Sequence, residues 1–288
     1  MPREDLYYVD LGGRFDDRNV LRIAADFTTA QRVEVARDLL ARIETTSEPR
    51  RLAFLAIEAL ERFVLATEDV LGWFFALVGW KPGAGLEETL FAQLDTVQVG
   101  RDPWDEERAL KLLDEMDLGR FRAEVLHLPT DDELSAAGWR STFVNLVGVA
   151  AEAQMEGFRN VAERRARGDR ALVRAYNKSK HMLLAFPAER DGLLEIDLIT
   201  ASDGARAYRD PAEGLEITGA QLSTDPQIIR ERVQGTITMH AVLHAVQSAI
   251  LAFRFGEKMP LPDWVAQAGD NLKGWVSQST GESPDIDL

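Results

Sequence analysis

The sequence predicts a mainly α protein, a helical bundle with a small β-hairpin inserted at about residues 193–219. Apolar residues recur every three or four positions through most of the chain, as on the buried face of a helix. The hairpin is predicted because the segment LLEIDLI alternates apolar and acidic residues at a period of two. We therefore expect an N-terminal arm over 1–27, one helical-bundle domain over 28–278 and a disordered acidic tail over 279–288.

Four helices are predicted in the first half of the chain. Their approximate ranges are 29–45, 48–80, 86–94 and 104–127. Thr28 or Thr29 is the predicted cap of the first helix, because a threonine hydroxyl accepts hydrogen bonds from the free amides at a helix start. The segment KPGAG ends the second helix with proline and glycine. Gly119 is a predicted break in the fourth helix, and Pro129 follows its end.

Further helices are predicted on both sides of the hairpin. Their ranges are 131–167 with a break at Gly138 or Gly148, 170–186, 226–256 and 262–276. Thr130 and Glu133 have the spacing of a capping box at the start of the first of these helices. Pro187 ends the helix that precedes the hairpin. Asp225 and Pro226 open the long helix after it, with proline at the first helical position.

Composition narrows the class of protein. The chain has 288 residues, 45% of them hydrophobic and 28% charged, which is ordinary for a soluble globular protein. It has no cysteine, so disulfides and thiolate metal sites are excluded. The start MPREDLYYVD lacks the apolar stretch of a secretory signal, and apolar runs such as 70–80 are too short to span a bilayer. We therefore expect a cytoplasmic protein without a membrane segment.

Charge is distributed unevenly along the chain. The formal net charge of −15 argues against a protein that coats nucleic acid regardless of sequence. The window 159–181, however, contains eight cations and two acids, so that its net charge is +6. A basic window on an acidic chain is typical of a local anion-binding face, although basic residues also collect at helix ends.

The segment RAYNKSKH, residues 174–181, gathers the side chains that suit chemistry on a phosphate. On a helix, four of them fall within a sector of about 100°: Arg174, Asn177, Lys178 and His181. Asn177 and His181 are neighbours at i and i+4. An imidazole can exchange a proton with the 2′-hydroxyl or the leaving oxygen, and a guanidinium can stabilise the charge of the phosphorane. These residue types predict RNA cleavage without a metal ion.

The same segment resembles the R-x(4–6)-H motif of the HEPN superfamily, α-helical bundle proteins that include many toxin and defence ribonucleases. Arg174 and His181 have six residues between them, and Ala175 stands where the family usually has a polar residue. The resemblance implies a motif on a late helix of a four-helix bundle, in a homodimer whose two motifs face each other. It implies RNA as the partner, His181 as acid or base, Arg174 as phosphate stabiliser, and Asn177 and Lys178 as orienting residues. No cofactor is expected.

Two other functions remain open at this point. The polar face over 174–181 also suits a solvated helix in an inactive HEPN-like fold, in which case the protein would be a non-enzymatic module that binds another protein. Alternatively, His240 and His244 lie at i and i+4 on one helix face, a spacing that suits a metal-dependent helical-bundle enzyme. The carboxylates that such a site would need are Glu58, Glu61, Glu68 and Glu124, the last of which pairs with His127 in a Glu-x2-His spacing.

Overall fold

The mainly α class is confirmed by the structure of the protein, a computed structural model that describes residues 16–83, 88–97, 105–168, 185–190, 193–201 and 217–257. Nine α-helices, three π-helical segments and three β-strands make up these ranges. The predicted short helix over 262–276 and the predicted tail over 279–288 lie outside them.

The first helical stretch starts earlier than predicted. It consists of α1 (Asp17–Ile23), the π-helical segment Ala24–Thr29 and α2 (Ala30–Glu44). Asp16 caps it, because its carboxylate accepts a hydrogen bond from the Asn19 amide at 2.8 Å. The predicted cap at Thr28 or Thr29 is therefore wrong. Thr29 lies within the stretch, where its hydroxyl donates to Gln247 Oε1 at 3.1 Å.

Within the described ranges, six helices follow before the sheet. They are α3 (Pro49–Gly79), α4 (Leu90–Thr96), α5 (Asp105–Glu115), α6 (Leu118–Arg120), α7 (Asp131–Ala136) and α8 (Ser141–Glu163). The π-helical segments Phe121–Val125 and Arg164–Gly168 extend α6 and α8. Asp17 fastens two of these helices to α1, since its carboxylate accepts from Trp80 Nε1 and from the Leu90 amide, both at 2.8 Å.

Local signals place several of these helix ends. The capping box is confirmed, because Thr130 Oγ1 accepts from the Glu133 amide at 3.3 Å and Glu133 Oε2 accepts from the Thr130 amide at 2.8 Å. Gly138, with φ of +84°, lies in the turn after α7, so the break falls there and not at Gly148. The helix break that was predicted at Gly119 occurs two residues earlier in the structure. There the Asp117 side chain accepts a hydrogen bond from the Arg120 amide and caps α6.

In the β region, the described ranges contain three strands, whereas the sequence predicted a hairpin of two. The strands β1 (Ala185–Arg190), β2 (Leu193–Ala201) and β3 (Ile217–Ser223) form an antiparallel sheet in the order β1-β2-β3. The predicted end of the preceding helix at Phe186 is wrong, because Ala185 and Phe186 pair with Leu198 and Asp197. Pro187 is accommodated because β1 is an edge strand, where a missing amide donor breaks no inner ladder.

Helix α9 (Pro226–Phe255) completes the bundle and contacts α1, α2, α3 and α8. It begins as predicted, with Asp225 Oδ1 accepting from the Gln227 amide at 2.7 Å, and ends at Gly256 with φ of +67°. Among the described residues it is the one helix long and apolar enough to cross a membrane. Half of its most apolar window is buried in the bundle, and core helices of soluble proteins meet the same criterion.

The hydrophobic core has two clusters that share α3 and α9. The first lies around the C-terminal halves of these two helices and includes Phe74, Phe121 and Phe158, whose rings pack together. The second joins the N-terminal halves of α3 and α9 to α2 and to Leu222 of β3. Because α3 and α9 contribute to both clusters, they connect the two parts of the core.

Candidate functional site

The predicted catalytic residues, Arg174, Asn177, Lys178 and His181, lie outside the described residues. The chain is described up to Gly168, at the end of the π-helical segment after α8, and again from Ala185, at the start of β1. Three sets of polar residues lie within the described ranges: the cations that precede the predicted site, the histidines and acids of the alternative metal site, and the lining of a pocket between helices.

Three cations of the basic window contact other side chains of the bundle. Arg159 forms an ion pair with Asp114 and donates a hydrogen bond to the Leu113 carbonyl. The Arg164 guanidinium lies over the ring of Phe63, with 4.9 Å between the guanidinium carbon and the ring centroid. The ion pair of Arg159 uses charge that the sequence alone had counted toward an anion-binding face, whereas Arg164 stays exposed.

Arg165 is the third of these cations, and its side chain is only 2% exposed. Its Nε donates to Glu106 Oε1 at 2.6 Å, and its Nη1 donates to Thr67 Oγ1 at 2.8 Å. Glu68 adds a longer ion pair, with 3.6 Å between Glu68 Oε1 and Arg165 Nη2. The guanidinium thereby ties the end of α8 to α3 and α5. A buried charge with three partners is a structural element of the fold.

The histidines of the alternative metal site face the seam between α9 and the first helical stretch. Both are 2% exposed. His244 Nδ1 lies 3.2 Å from Ser248 Oγ, and burial lowers its pKa. Burial and the neighbouring charge of Arg32 lower the pKa of His240 from 6.5 to about 4. The same positive charge would repel a cation, and no group of three or more His, Asp or Glu suited to a metal occurs in the part of the chain that the structure describes.

Glu124 and His127 do not act as a pair. Glu124 is exposed and forms two hydrogen bonds with Arg120, which lower its pKa. His127 packs edge-on against Trp80 with 4.4 Å between ring centroids, and its Nε2 lies 3.2 Å from the Leu77 carbonyl oxygen. That nitrogen donates, since a carbonyl oxygen can only accept, and burial lowers the pKa of the ring.

Three of the four acids of α3 form ion pairs. Glu58 accepts a hydrogen bond from Arg42 Nη1 at 2.9 Å, and Glu68 faces Arg165. Asp69 lies with its Oδ2 2.6 Å from Arg32 Nη1. Burial nevertheless raises the pKa of Asp69 to about 6, against the opposing effect of Arg32. Near His240, Asp69 is thus occupied by Arg32, whereas the acid near His244 is Asp26.

A pocket of about 260 Å³ lies where α2, α3 and α9 meet. Its polar lining consists of Gln31, Arg32, Arg62, Thr236 and His240. Val35 and Leu65 provide the apolar part. Gln31 is exposed, whereas Thr236 and His240 are 1% and 2% exposed, so the pocket extends from the surface of α2 to buried side chains of α9.

Sequence reasoning missed this pocket. Arg62, Leu65 and Asp69 lie three and four residues apart and share one face of α3, which is a signal that the sequence contains. That this face meets Arg32 and His240 depends on the packing of three helices far apart in the chain. Local periodicity does not encode that packing.

Comparisons with known protein families, with characterised proteins and with solved structures found no match for this chain. The described residues therefore define a fold class and no family. That class is a mainly α bundle with a three-stranded antiparallel sheet.

Proposed function

We propose that this protein binds RNA, and cleaves it without a metal ion, through the face that Arg174, Asn177, Lys178 and His181 form on one helix. The observation that carries the proposal is the segment RAYNKSKH, whose guanidinium, amide, ammonium and imidazole are predicted from the sequence to lie on one side of a helix. Its resemblance to the HEPN motif and the helical architecture of the described residues support it.

The reaction is transfer of a phosphoryl group within the RNA. The 2′-hydroxyl loses its proton and attacks the adjacent phosphorus, while the bond from phosphorus to the 5′-oxygen breaks. The products are a 2′,3′-cyclic phosphate and a 5′-hydroxyl, which takes up one proton. His181 exchanges one of these protons, and the His181 of a second copy exchanges the other in the proposed homodimer. Arg174 stabilises the phosphorane, and Asn177 and Lys178 hold the phosphate.

The bundle limits which cations can take part. Because Arg165 is buried and Arg159 pairs with Asp114, RNA is expected to meet the exposed Arg164 and the basic residues further along the chain. Those residues are Arg167, Arg170, Arg174, Lys178 and Lys180. The charge available to a phosphate backbone is therefore smaller than that of the whole basic window, and binding should weaken markedly as the salt concentration rises.

The test is RNA cleavage by the purified chain in EDTA, with 5′-labelled single-stranded and hairpin RNAs. We expect fragments that end in a cyclic phosphate. His181→Ala and Arg174→Ala should each reduce the rate by at least about 100-fold, as loss of an acid–base group or of a charge stabiliser does. Lys81→Ala is the matched control, because Lys81 is an exposed cation that pairs with Glu88 in the described structure. Its rate should equal that of the wild type.

Two results would contradict the proposal. One is the absence of both cleavage and RNA binding over the whole panel. The other is activity that persists in His181→Ala, which would mean that the cleavage comes from a contaminant or from another site.

Large apolar side chains on the surface favour a second candidate, a non-enzymatic module that binds a protein. Phe27, Phe54 and Trp139 are 67%, 59% and 48% exposed. Exposed aromatic residues are typical of protein interfaces. Pull-down of co-expressed proteins tests this: a stable complex with another protein that Phe27→Ser or Phe54→Ser dissolves would support the module, and recovery of the chain alone would contradict it.

A further inference from the structure

The pocket between α2, α3 and α9 is unusual in its charge. Its lining includes the side chains of Arg32 and Arg62 and contains no carboxylate. Asp69 lies next to it and pairs with Arg32. Arg32 is thereby neutralised, so Arg62 is the guanidinium of the pocket that has no acidic partner within the described ranges, a costly arrangement for a partly buried charge.

Two buried nitrogen atoms at the pocket have no hydrogen-bond partner in the protein. Arg62 Nε is buried without a hydrogen-bond partner, and within the described ranges no ion pair engages Arg62. His240 is 2% exposed, and its Nδ1 also lacks a partner. Buried polar atoms are satisfied in nearly all folded proteins, so each such atom requires an explanation. Here both occur on residues that line the same pocket.

We propose that this pocket is a binding site for a small organic oxyanion, a ligand that carries a carboxylate or a phosphate on a short apolar body. The oxyanion accepts hydrogen bonds from Arg32 and Arg62, which present several donors in a fixed fork. Gln31 contacts it at the mouth, and Thr236 and His240 at the floor. Val35 and Leu65 contact the apolar body.

The size and lining of the pocket define the ligand class. A volume of about 260 Å³ exceeds that of a bare phosphate or acetate and suits a ligand of about ten non-hydrogen atoms. A cation is disfavoured by the two arginines. The site uses none of the residues 174–181, so oxyanion binding in this pocket is independent of RNA binding.

The experiment is calorimetric titration of the full chain with phenyl phosphate and with benzoate, which present the two oxyanions on one apolar body. Benzyl alcohol is the neutral control, and benzylamine is the cationic control. We expect a dissociation constant of about 1 mM or lower for at least one oxyanion, as the size of the ligand allows, and no binding of the two controls. The ligand with the lower dissociation constant shows whether the pocket prefers a carboxylate or a phosphate.

Three variants make the test specific. Arg62→Gln should weaken oxyanion binding at least about tenfold, because it removes a charged donor. Leu65→Phe should also abolish binding, since the larger ring fills the pocket while both arginines remain. Arg37→Gln is the matched control on α2, because Arg37 is exposed and pairs with Glu34. Circular dichroism confirms that each variant is folded.

The proposal is overturned by either of two results. One is that neither oxyanion binds in titration. The other is that folded Arg62→Gln and Leu65→Phe keep the affinity of the wild type.

Discussion

Arg165 shows how a cation in a basic stretch can belong to the core. Glu106, Glu68 and Thr67 surround a guanidinium whose side chain is 2% exposed. Replacing the whole cluster by apolar groups would be close to neutral, but removing one partner leaves the others buried without their counterpart. Arg165 should thus matter for stability and not for RNA binding.

We predict that Arg165→Met lowers the free energy of unfolding by about 3 kcal/mol, because Glu106 and Thr67 lose their buried partner. Arg51→Met is the control, since Arg51 pairs with Glu48 on the surface with 74% of its side chain exposed. It should change stability by less than about 0.5 kcal/mol. Urea denaturation measures both values, and equal effects of the two substitutions would contradict a structural role of the buried cluster.

His240 makes stability depend on pH. Its folded-state pKa of about 4 lies below the ordinary 6.5, so the unfolded chain takes up the proton more readily than the folded protein. Its contribution to stability is complete above pH 6.5 and is lost as the pH falls toward 4.

Asp69 changes stability with pH in the opposite sense. Its pKa is raised from 3.8 to about 6, so its contribution is complete below pH 3.8 and is lost as the pH rises through 6.

We predict that His240→Gln removes part of this acid sensitivity. Between pH 7 and pH 4, the difference in unfolding free energy between wild type and variant should shift in favour of the variant by up to about 3 kcal/mol. Asp69→Asn is a control of opposite sign, whose stability relative to wild type should improve as the pH rises over the same range. Urea titrations at intervals of half a pH unit measure both. If the unfolding free energies of wild type and His240→Gln change in parallel with pH, His240 is not a cause of the acid sensitivity.

At the scale of elements, α8 carries two glycines with different surroundings. A methyl group on Gly157 would lie 3.1 Å from Val242 Cγ1 on α9, whereas one on Gly148 would meet no atom within 4 Å. Alanine favours a helix by about 1 kcal/mol relative to glycine. An alanine at position 148 should therefore stabilise the helix. At position 157 the close contact with Val242 of α9 should offset this stabilisation.

We therefore predict that Gly148→Ala raises the free energy of unfolding by about 0.5–1 kcal/mol, and that Gly157→Ala raises it less or lowers it. Adding Val242→Ala should remove the penalty specific to Gly157, because it removes the methyl group that the new side chain meets. A double-mutant cycle in urea gives the coupling between positions 157 and 242. A coupling of zero would mean that α8 and α9 do not approach as closely as described.

Element ends were predictable where the signal lies within a few residues. The Thr130 and Glu133 capping box, the turn at Gly138 and the Asp225-Pro226 start of α9 each rest on local hydrogen bonds or backbone preferences. The start of the first helix was missed because the cap is Asp16 and a π-helical segment, Ala24–Thr29, follows α1. Strand β1 was missed because its pairing with β2 outweighs the helical pattern of the preceding residues.

At the scale of the molecule, the two long helices decide how the protein unfolds. Both α3 and α9 contribute side chains to both core clusters, so neither cluster can lose its packing without disturbing the other. Loss of a buried leucine in either cluster should therefore destabilise the whole described bundle. This is the condition for a single cooperative transition.

We predict that Leu39→Ala in the second cluster and Leu71→Ala in the first each lower the unfolding free energy by about 2–5 kcal/mol. In both variants, tryptophan fluorescence and far-UV circular dichroism should give coincident urea transitions. Trp80, which is 1% exposed in the first cluster, makes fluorescence sensitive to that cluster. A variant whose two probes have separate midpoints would show that the clusters unfold independently.

The site is less predictable from sequence than the fold. The sum of charges over 159–181 is a sequence property, but the share available to a ligand depends on Asp114, Glu106 and Phe63, which approach from other helices. Likewise, His240 and His244 have a metal-ligand spacing, yet Arg32 faces the first of them. Long-range packing decides the role of each polar residue, and periodicity does not report it.

The π-helical segments bear on the ancestry of the chain. Such a segment amounts to one residue inserted into an α-helix, as the bond from the Leu126 amide to the Phe121 carbonyl illustrates. The inserted residue turns all later side chains of the helix by about 100°. Thr29 and Arg165 both lie in such segments and both reach buried polar partners. A homologous chain that lacks one of these two insertions should show a one-residue gap at that segment in a sequence alignment. It should also lack the buried hydrogen bond of that segment, which is Thr29 to Gln247 in the first and Arg165 to Thr67 in the second.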